Sequence, residues 1–117
     1  MAGYSKARIA EDIKRELAAI VRELKDPRVQ GILTVVRVDV SRDASFARVY
    51  ISAMEGIETA KLAVSGLESA KGLIRQEIGG RLRLRATPEL RFIADDSVEQ
   101  SVIIAKKLEE LKANSED

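Results

Sequence analysis

Residues 59–84, TAKLAVSGLESAKGLIRQEIGGRLRL, carry a helical hydrophobic period that glycine interrupts at Gly66, Gly72 and the pair Gly79-Gly80. Ala63, Val64, Leu67, Ala70, Ile74, Ile78 and Leu82 fall on one stripe, and Thr59 is placed to cap its start. Each glycine inside a helix costs ~1 kcal/mol relative to alanine. The spacing therefore predicts two helices that meet near Gly72, the second ending near Gly80.

Strands lie on both sides of this pair. Residues 31–41 (GILTVVRVDVS) alternate, with Ile32, Thr34, Val36, Val38 and Val40 on one face and Arg37, Asp39 and Ser41 on the other. Arg42 to Ser45 is a turn, and Phe46 to Ala53 is a second strand with Ala47, Val49, Ile51 and Ala53 inward. Phe46, Arg48, Tyr50 and Ser52 point outward. A turn this short implies an antiparallel hairpin. After the helix pair, Pro88 opens a third strand, Glu89 to Ala94, with Leu90, Phe92 and Ala94 inward. The intervening helices allow a long crossover, so strand three need not run antiparallel to its neighbours.

Amphipathic helices flank this core. Ile9, Ile13, Leu17, Ile20, Val21 and Leu24 mark a helix over residues 5–25, stopped by Asp26-Pro27. Ser97 with Gln100 has capping-box spacing ahead of a last helix striped by Val98, Val102, Ala105, Leu108 and Leu111. The order α-β-β-α-α-β-α predicts one α+β domain over residues 1–112, a three-stranded sheet with helices on one face. Residues 113–117 read as a flexible C-terminal tail. Which sheet face the helices cover is open: Tyr50 lies beneath them or stacks a base.

Composition restricts the chemistry. The 117 residues hold four aromatics (Tyr4, Phe46, Tyr50, Phe92) and no Trp, His or Cys. That excludes disulfides, thiolate nucleophiles, Cys-based zinc sites, the Ser-His-Asp triad and histidine-based metal sites. No apolar run nears the ~18 residues of a membrane span, and MAGYSKARIAED lacks a signal peptide's apolar core. A cytoplasmic protein is the expectation.

The net charge of +1 is unevenly spread. Residues 71–91 hold six basic side chains (Lys71, Arg75, Arg81, Arg83, Arg85, Arg91) against Glu77 and Glu89, whereas residues 92–117 hold three basic and seven acidic ones. Five of the six are arginine, whose planar fork suits phosphate. An array of arginines attracts a phosphate backbone with salt-dependent, largely sequence-independent affinity. The alternative is a solvated polar face. In an extended segment Arg81, Arg83 and Arg85 would point one way while Leu82 and Leu84 pack inward. Arg85 has a second possible use, bonding a helix C-terminus. On the first helix Lys6, Arg8, Lys14 and Arg15 extend the same candidate surface. With so few aromatics, recognition by backbone and shape fits better than a base-stacking platform.

Two other functions compete. Asp39, Asp43, Asp95 and Asp96 are candidates for the divalent-metal site of an RNA-cleaving enzyme. Against this, Asp43 suits a turn and Asp95 or Asp96 a helix cap. A Ser-Lys nucleophile pair would need a pocket the sequence does not indicate. A protein-interaction module could work through the acidic end (Glu99, Glu109, Glu110, Glu116, Asp117).

The segment Glu68-Ser-Ala-Lys-Gly-Leu-Ile-Arg75 carries a resemblance that extends over nearly the whole chain. Arg8-Ile-Ala-Glu-Asp-Ile13, Asp26-Pro-Arg-Val29, Val38-Asp-Val-Ser-Arg-Asp43 and Ala47-Arg-Val-Tyr-Ile-Ser52 belong to it. So do Arg81-Leu-Arg-Leu-Arg85, Pro88-Glu-Leu-Arg-Phe92 and Asp95-Asp-Ser97, in order and spacing. In these the chain resembles the ribosome-binding factor A family. The resemblance implies a type II KH-like fold in which an Ala-x-Gly kink (Ala70, Lys71, Gly72) replaces the Gly-x-x-Gly loop. It implies a non-catalytic assembly factor, without cofactor or metal, that binds 16S rRNA in the free 30S subunit and assists its late maturation and processing. It also implies a monomer, a part in cold adaptation, and contact with ribosomal proteins or assembly GTPases. Gly79-Gly80 departs from the family pattern and predicts a shorter or looser second central helix, which bears on how Arg81 and Arg83 point.

Overall fold

The computed structural model describes residues 5–115. Seven elements follow in order: α1 (Lys6–Glu23), β1 (Leu33–Val40), β2 (Phe46–Ala53), α2 (Ile57–Ser69), α3 (Lys71–Leu82), β3 (Glu89–Asp95) and α4 (Ser97–Ser115). The sheet order is β1-β2-β3, with β1 antiparallel and β3 parallel to β2. This is the α+β, type II KH-like arrangement expected, and the α2–α3 crossover is what permits the parallel pair.

α1 begins at Ser5, whose hydroxyl accepts the Arg8 N–H at 3.2 Å, one of the donors a helix start leaves unpaired. It buries Ile13, Leu17, Ile20 and Val21 against the sheet. Beyond it the Asp26 carboxylate accepts the Arg28 N–H at 2.8 Å and pairs with the same residue's guanidinium at 2.9 Å. β2 alternates as its sequence reads, with Ala47, Val49 and Ile51 wholly buried. β1 does not. Its pairing passes from Val35↔Ile51 to Arg37↔Tyr50, so Val36 is an extra residue in a bulge. The bulge resets the alternation and turns Val35, Val38 and Val40 to the core, leaving Val36 half-buried and Ile32 59% exposed. The expected face of Ile32, Thr34 and Val36 is thereby corrected. Ser52 is also corrected: it is fully buried, not an outward residue.

α2 starts two residues before Thr59. Its N-cap is Gly56, at φ 121°, a backbone conformation in which a side chain is strained. The two central helices join at Ala70 rather than Gly72. The Ala70 N–H is shared between the Gly66 and Leu67 carbonyls at 3.2 and 3.1 Å, and its own carbonyl accepts the first α3 bond, from Ile74 at 2.9 Å. Nor does Gly79-Gly80 shorten α3, which continues to Leu82 because buried Ile74 and Ile78 anchor it. Gly79 has a packing reason: a Cβ there would lie 2.6 Å from Thr87 Oγ1.

α4 departs furthest from expectation. Its start is bonded by neighbours rather than by a Ser97–Gln100 box. Asp95 Oδ1 accepts the Ser97 N–H at 2.7 Å, Ser52 Oγ accepts the Val98 N–H at 3.1 Å, and the Asp96 carbonyl accepts the Gln100 N–H at 2.9 Å. From there the helix leaves the body. Val102, Ile104, Leu108 and Leu111 are 43, 56, 61 and 64% exposed, so only the α1–α3 layer covers the sheet. The helix continues past the expected start of the tail, and Glu116 and Asp117 lie outside the described residues. Among the described residues no helix is long and apolar enough to cross a membrane.

Candidate nucleic-acid interface

The Ala70 junction exposes the start of α3. Because Ile74 makes the first bond of its ladder, the N–H groups of Lys71, Gly72 and Leu73 precede that ladder, at the positive end of the helix dipole. Gly72 is exposed, and a Cβ built there meets nothing within 4 Å. The backbone is therefore open to close approach by an anion, as in the helix starts that hold phosphates.

Three of the cations expected here are also structural. Lys71 Nζ lies 3.0 Å from Glu68 Oε1, while Glu68 Oε2 accepts the Phe92 N–H on the outer edge of β3 at 2.8 Å. Partial burial pushes the Glu68 carboxyl up. The Phe92 N–H and Lys71 outweigh that and hold it below the usual carboxylate range. Arg75 donates from Nε and Nη2 to the Thr87 carbonyl, at 3.0 and 2.7 Å. This neutral acceptor fastens the segment before β3 and leaves the guanidinium's charge uncompensated. Arg75, not Arg85, is thus the arginine that holds backbone. Arg81 is different again. It meets Glu23 at 3.1 Å, Glu77 at 3.3 Å and Glu16 at 3.6 Å, and so ties α3 to α1. Three carboxylates leave it no excess charge for a phosphate.

The expected extended row Arg81, Arg83, Arg85 is therefore not formed. Arg81 belongs to α3 and faces α1. Arg83 caps that helix in the left-handed region at φ 53°, its N–H and that of Leu84 both bonding the Gly79 carbonyl. A residue with a Cβ is strained there by ~1 kcal/mol, and glycine is the usual occupant. Arg85 follows in the irregular segment before Pro88. Both arginines are exposed, and no ion pair engages either among the described residues. Leu82 and Leu84 are half-buried beside them, as expected.

On α1, Lys6 and Arg8 are exposed near the first turn. Arg15 bridges the partly buried Asp12 at 3.2 Å and Glu16 at 3.5 Å, its own side chain staying exposed. Lys14 and Arg15, with Arg22, line a groove of about 880 Å³ between α1 and β1. Arg81 carries the ion pairs from α3 to α1, and Lys71 lies ten residues away from it, ~15 Å along the α3 axis. Glu68, Thr87 and Glu23, which hold these cations, were not legible as site residues. Thr87 and Glu23 act on cations distant in sequence, and Glu68, though at i,i+3 spacing from Lys71, also takes the remote Phe92 N–H.

The carboxylates proposed for a metal are dispersed among structural tasks. Asp39 pairs with Arg37 at 3.1 Å, and Asp95 caps α4. Asp43 accepts from the Ser45 and Ser41 hydroxyls at 2.7 and 2.8 Å. Among the described residues no three such groups gather to hold a metal ion.

A family model for ribosome-binding factor A matches residues 5–108. The chain belongs to the ribosome-binding factor A family. A ribosome-binding factor A from Acetivibrio thermocellus is 43% identical over 109 residues, covering 92% of this chain and 89% of the relative. The crystal structure of ribosome-binding factor A from Thermus thermophilus is 33% identical with a TM-score of 0.68, over 77% of this chain and 94% of the other. A second Thermus thermophilus structure of the family, a homology model fitted into the cryo-EM map of a complex with the 30S subunit, is 34% identical. Its TM-score is 0.64, over 76% of this chain and 93% of that one.

Proposed function

We propose that this protein binds the free small ribosomal subunit through 16S rRNA and assists its late maturation and processing as a monomeric, cytoplasmic, non-catalytic factor. The observation that carries this reading is membership of the ribosome-binding factor A family over nearly the whole chain, with a relative seen fitted on the 30S subunit. The surface we assign to the rRNA is the kink Ala70–Gly72 with Lys71 and Arg75, continued by Arg83 and Arg85. Lys6, Arg8, Lys14 and Arg15 on α1 extend it. Arg81 serves this surface by positioning α3.

Arg83 supports the assignment independently. A cation kept in a strained conformation that glycine would relieve points to a use outside the fold. The test is co-sedimentation with purified free 30S subunits at two salt concentrations, comparing wild type with Arg83→Gly and Arg85→Gln together. We expect equal or higher thermal stability with binding weakened about tenfold or more, the scale of one to two lost charged contacts. Binding as tight as wild type would remove Arg83 and Arg85 from the site. A wild-type protein that never enters the 30S fraction would overturn the function itself.

A further inference from the structure

The face of the sheet away from α1, α2 and α3, which the first turn of α4 meets at Ser52 and Asp95, carries chemistry that the kink does not use. α1, α2 and α3 all pack on the side of Ala47, Val49, Ile51, Leu90 and Phe92, and the molecule is only 19 Å through its thinnest direction. The opposite side holds one exposed arginine on each strand: Arg37 on β1, Arg48 on β2 and Arg91 on β3. The strand register sets them close together. Asp39↔Arg48 and Arg48↔Arg91 make one cross-strand row, and Arg37↔Tyr50↔Ile93 makes the next. Directly opposed residues have Cβ atoms ~5 Å apart and diagonal ones ~7–8 Å, so the three side chains rise from one patch.

Two of the guanidinium groups lie over aromatic rings. Arg37 Cζ is 4.1 Å from the Tyr50 ring centroid and Arg91 Cζ is 4.8 Å from that of Phe46. Stacking fixes each plane at low entropic cost while its N–H donors remain at the rim. Of the acidic groups on this side, Asp39 pairs with Arg37, Asp95 caps α4, and Glu89 sits beside Phe46 at the hairpin end. Arg48 and Arg91 thus stand side by side with no ion pair to either among the described residues. Like charges directly opposite one another in a sheet repel. Asp39, which faces Arg48 in the register, is paired with Arg37, and Arg91 has the Phe46 ring and the charge of Glu68, so a repulsion within the pair remains.

We propose that Arg37, Arg48 and Arg91, set on Tyr50 and Phe46, form a second RNA-binding surface that grips a single-stranded phosphate backbone on the side of the sheet away from the kink. RNA fits better than protein because, beyond the two rings that the guanidinium groups cover, Ile93 and Val36 are the apolar neighbours and both are half-buried, which leaves little apolar surface for a desolvated protein interface. Arginine forks and half-exposed rings suit phosphates, riboses and bases. The two surfaces lie on opposite sides of the sheet, so one molecule can hold two stretches of RNA at once. This inference rests on the reading that the protein works on RNA.

The test compares wild type, Arg48→Gln with Arg91→Gln, and the Arg83→Gly, Arg85→Gln variant described above. Each is titrated with a short uridine oligonucleotide, with an oligoglutamate peptide and with free 30S subunits, over a range of salt. Replacing Arg48 and Arg91 relieves a repulsion, so thermal stability should hold. The oligonucleotide affinity should fall, and the slope of log K against log salt should drop by about 1.4, two single-strand phosphate contacts. Arg37→Gln, which leaves both rings in place, should lower the slope by about 0.7 and checks the result should the double variant misfold. An unchanged slope and affinity for RNA, or a loss confined to the oligoglutamate peptide, would overturn this surface while leaving the kink's role intact. Loss of 30S binding by the Arg83→Gly, Arg85→Gln variant with its oligonucleotide affinity kept would support two surfaces that fail separately.

Discussion

The two faces of the sheet are made by alternate residues of the same three strands and do opposite work. On the covered face Ala47, Val49 and Ile51 are fully buried and Leu90 and Phe92 nearly so. On the bare face Arg37, Arg48 and Arg91 are exposed, Phe46, Tyr50 and Ile93 are half-buried, and Ser52 is buried where α4 starts. One face is built from groups that leave water favourably. The other keeps charged groups that gain little from the fold and can gain from a polyanion. Stability and recognition should therefore separate along the period of two.

The largest effect is expected on the covered face. Ile51→Ala should lower unfolding stability by about 2–5 kcal/mol, the range for emptying a filled core position. Ile93→Ala, one strand away on the bare face, should cost less than about 1 kcal/mol because part of that side chain already meets water. Denaturant midpoints of the two variants test the comparison. Equal losses would break it, and would mean that something covers the bare face in solution.

The same contrast recurs within α3 on a smaller scale. A Cβ at Gly79 would meet Thr87 Oγ1 at 2.6 Å, whereas one at Gly80 meets nothing within 4 Å. Gly80→Ala should stabilise by about 0.5–1 kcal/mol through the lost freedom of the unfolded chain. Gly79→Ala should destabilise by a similar amount, since Thr87 has to turn away. Thr87→Ala removes the obstacle, its Cβ being 3.8 Å distant, and in that background Gly79→Ala should become stabilising. Thermal denaturation of the four proteins reads the sign change. Were both glycines to respond alike, the close approach of the Thr87 segment to α3 would be absent.

What was legible follows from how local each cause is. The faces of β2 and β3 were readable because alternation is a property of neighbouring residues, and the parallel strand was allowed by the length of the crossover. The faces of β1 were not, since the bulge at Val36 is set by pairing with β2. Glycine's propensity puts the junction near Gly72, and within the Ala70-Lys71-Gly72 motif the break falls on Ala70, where the Gly66 and Leu67 carbonyls share one N–H. The basic run was visible as charge alone. That Arg81 is neutralised and Arg75 pinned depends on Glu16, Glu23 and Thr87, which no spacing along the chain reveals. α4 showed an apolar stripe, but a stripe does not say whether a partner is present to cover it.

Asp43, in the β1–β2 turn, offers the smallest and most local test, because there hydrogen bonds replace burial altogether. The Ser45 hydroxyl, the Ser45 N–H and the Ser41 hydroxyl all donate to its Oδ1, and they lower its carboxyl from 3.8 to about 2. A folded-state pKa below the unfolded one means that ionised Asp43 contributes stability that is fully present above pH 3.8. That contribution is lost as the pH falls toward 2. Asp43→Asn keeps an oxygen acceptor but cannot titrate. Its deficit relative to wild type should be constant from neutral pH down to about 4, then shrink and vanish near pH 2. Both proteins lose their other carboxylates together, so the difference between their denaturant midpoints isolates this turn. A deficit that stays flat through that window, or widens on acidification, would show that the turn is held by its backbone and not by the charge.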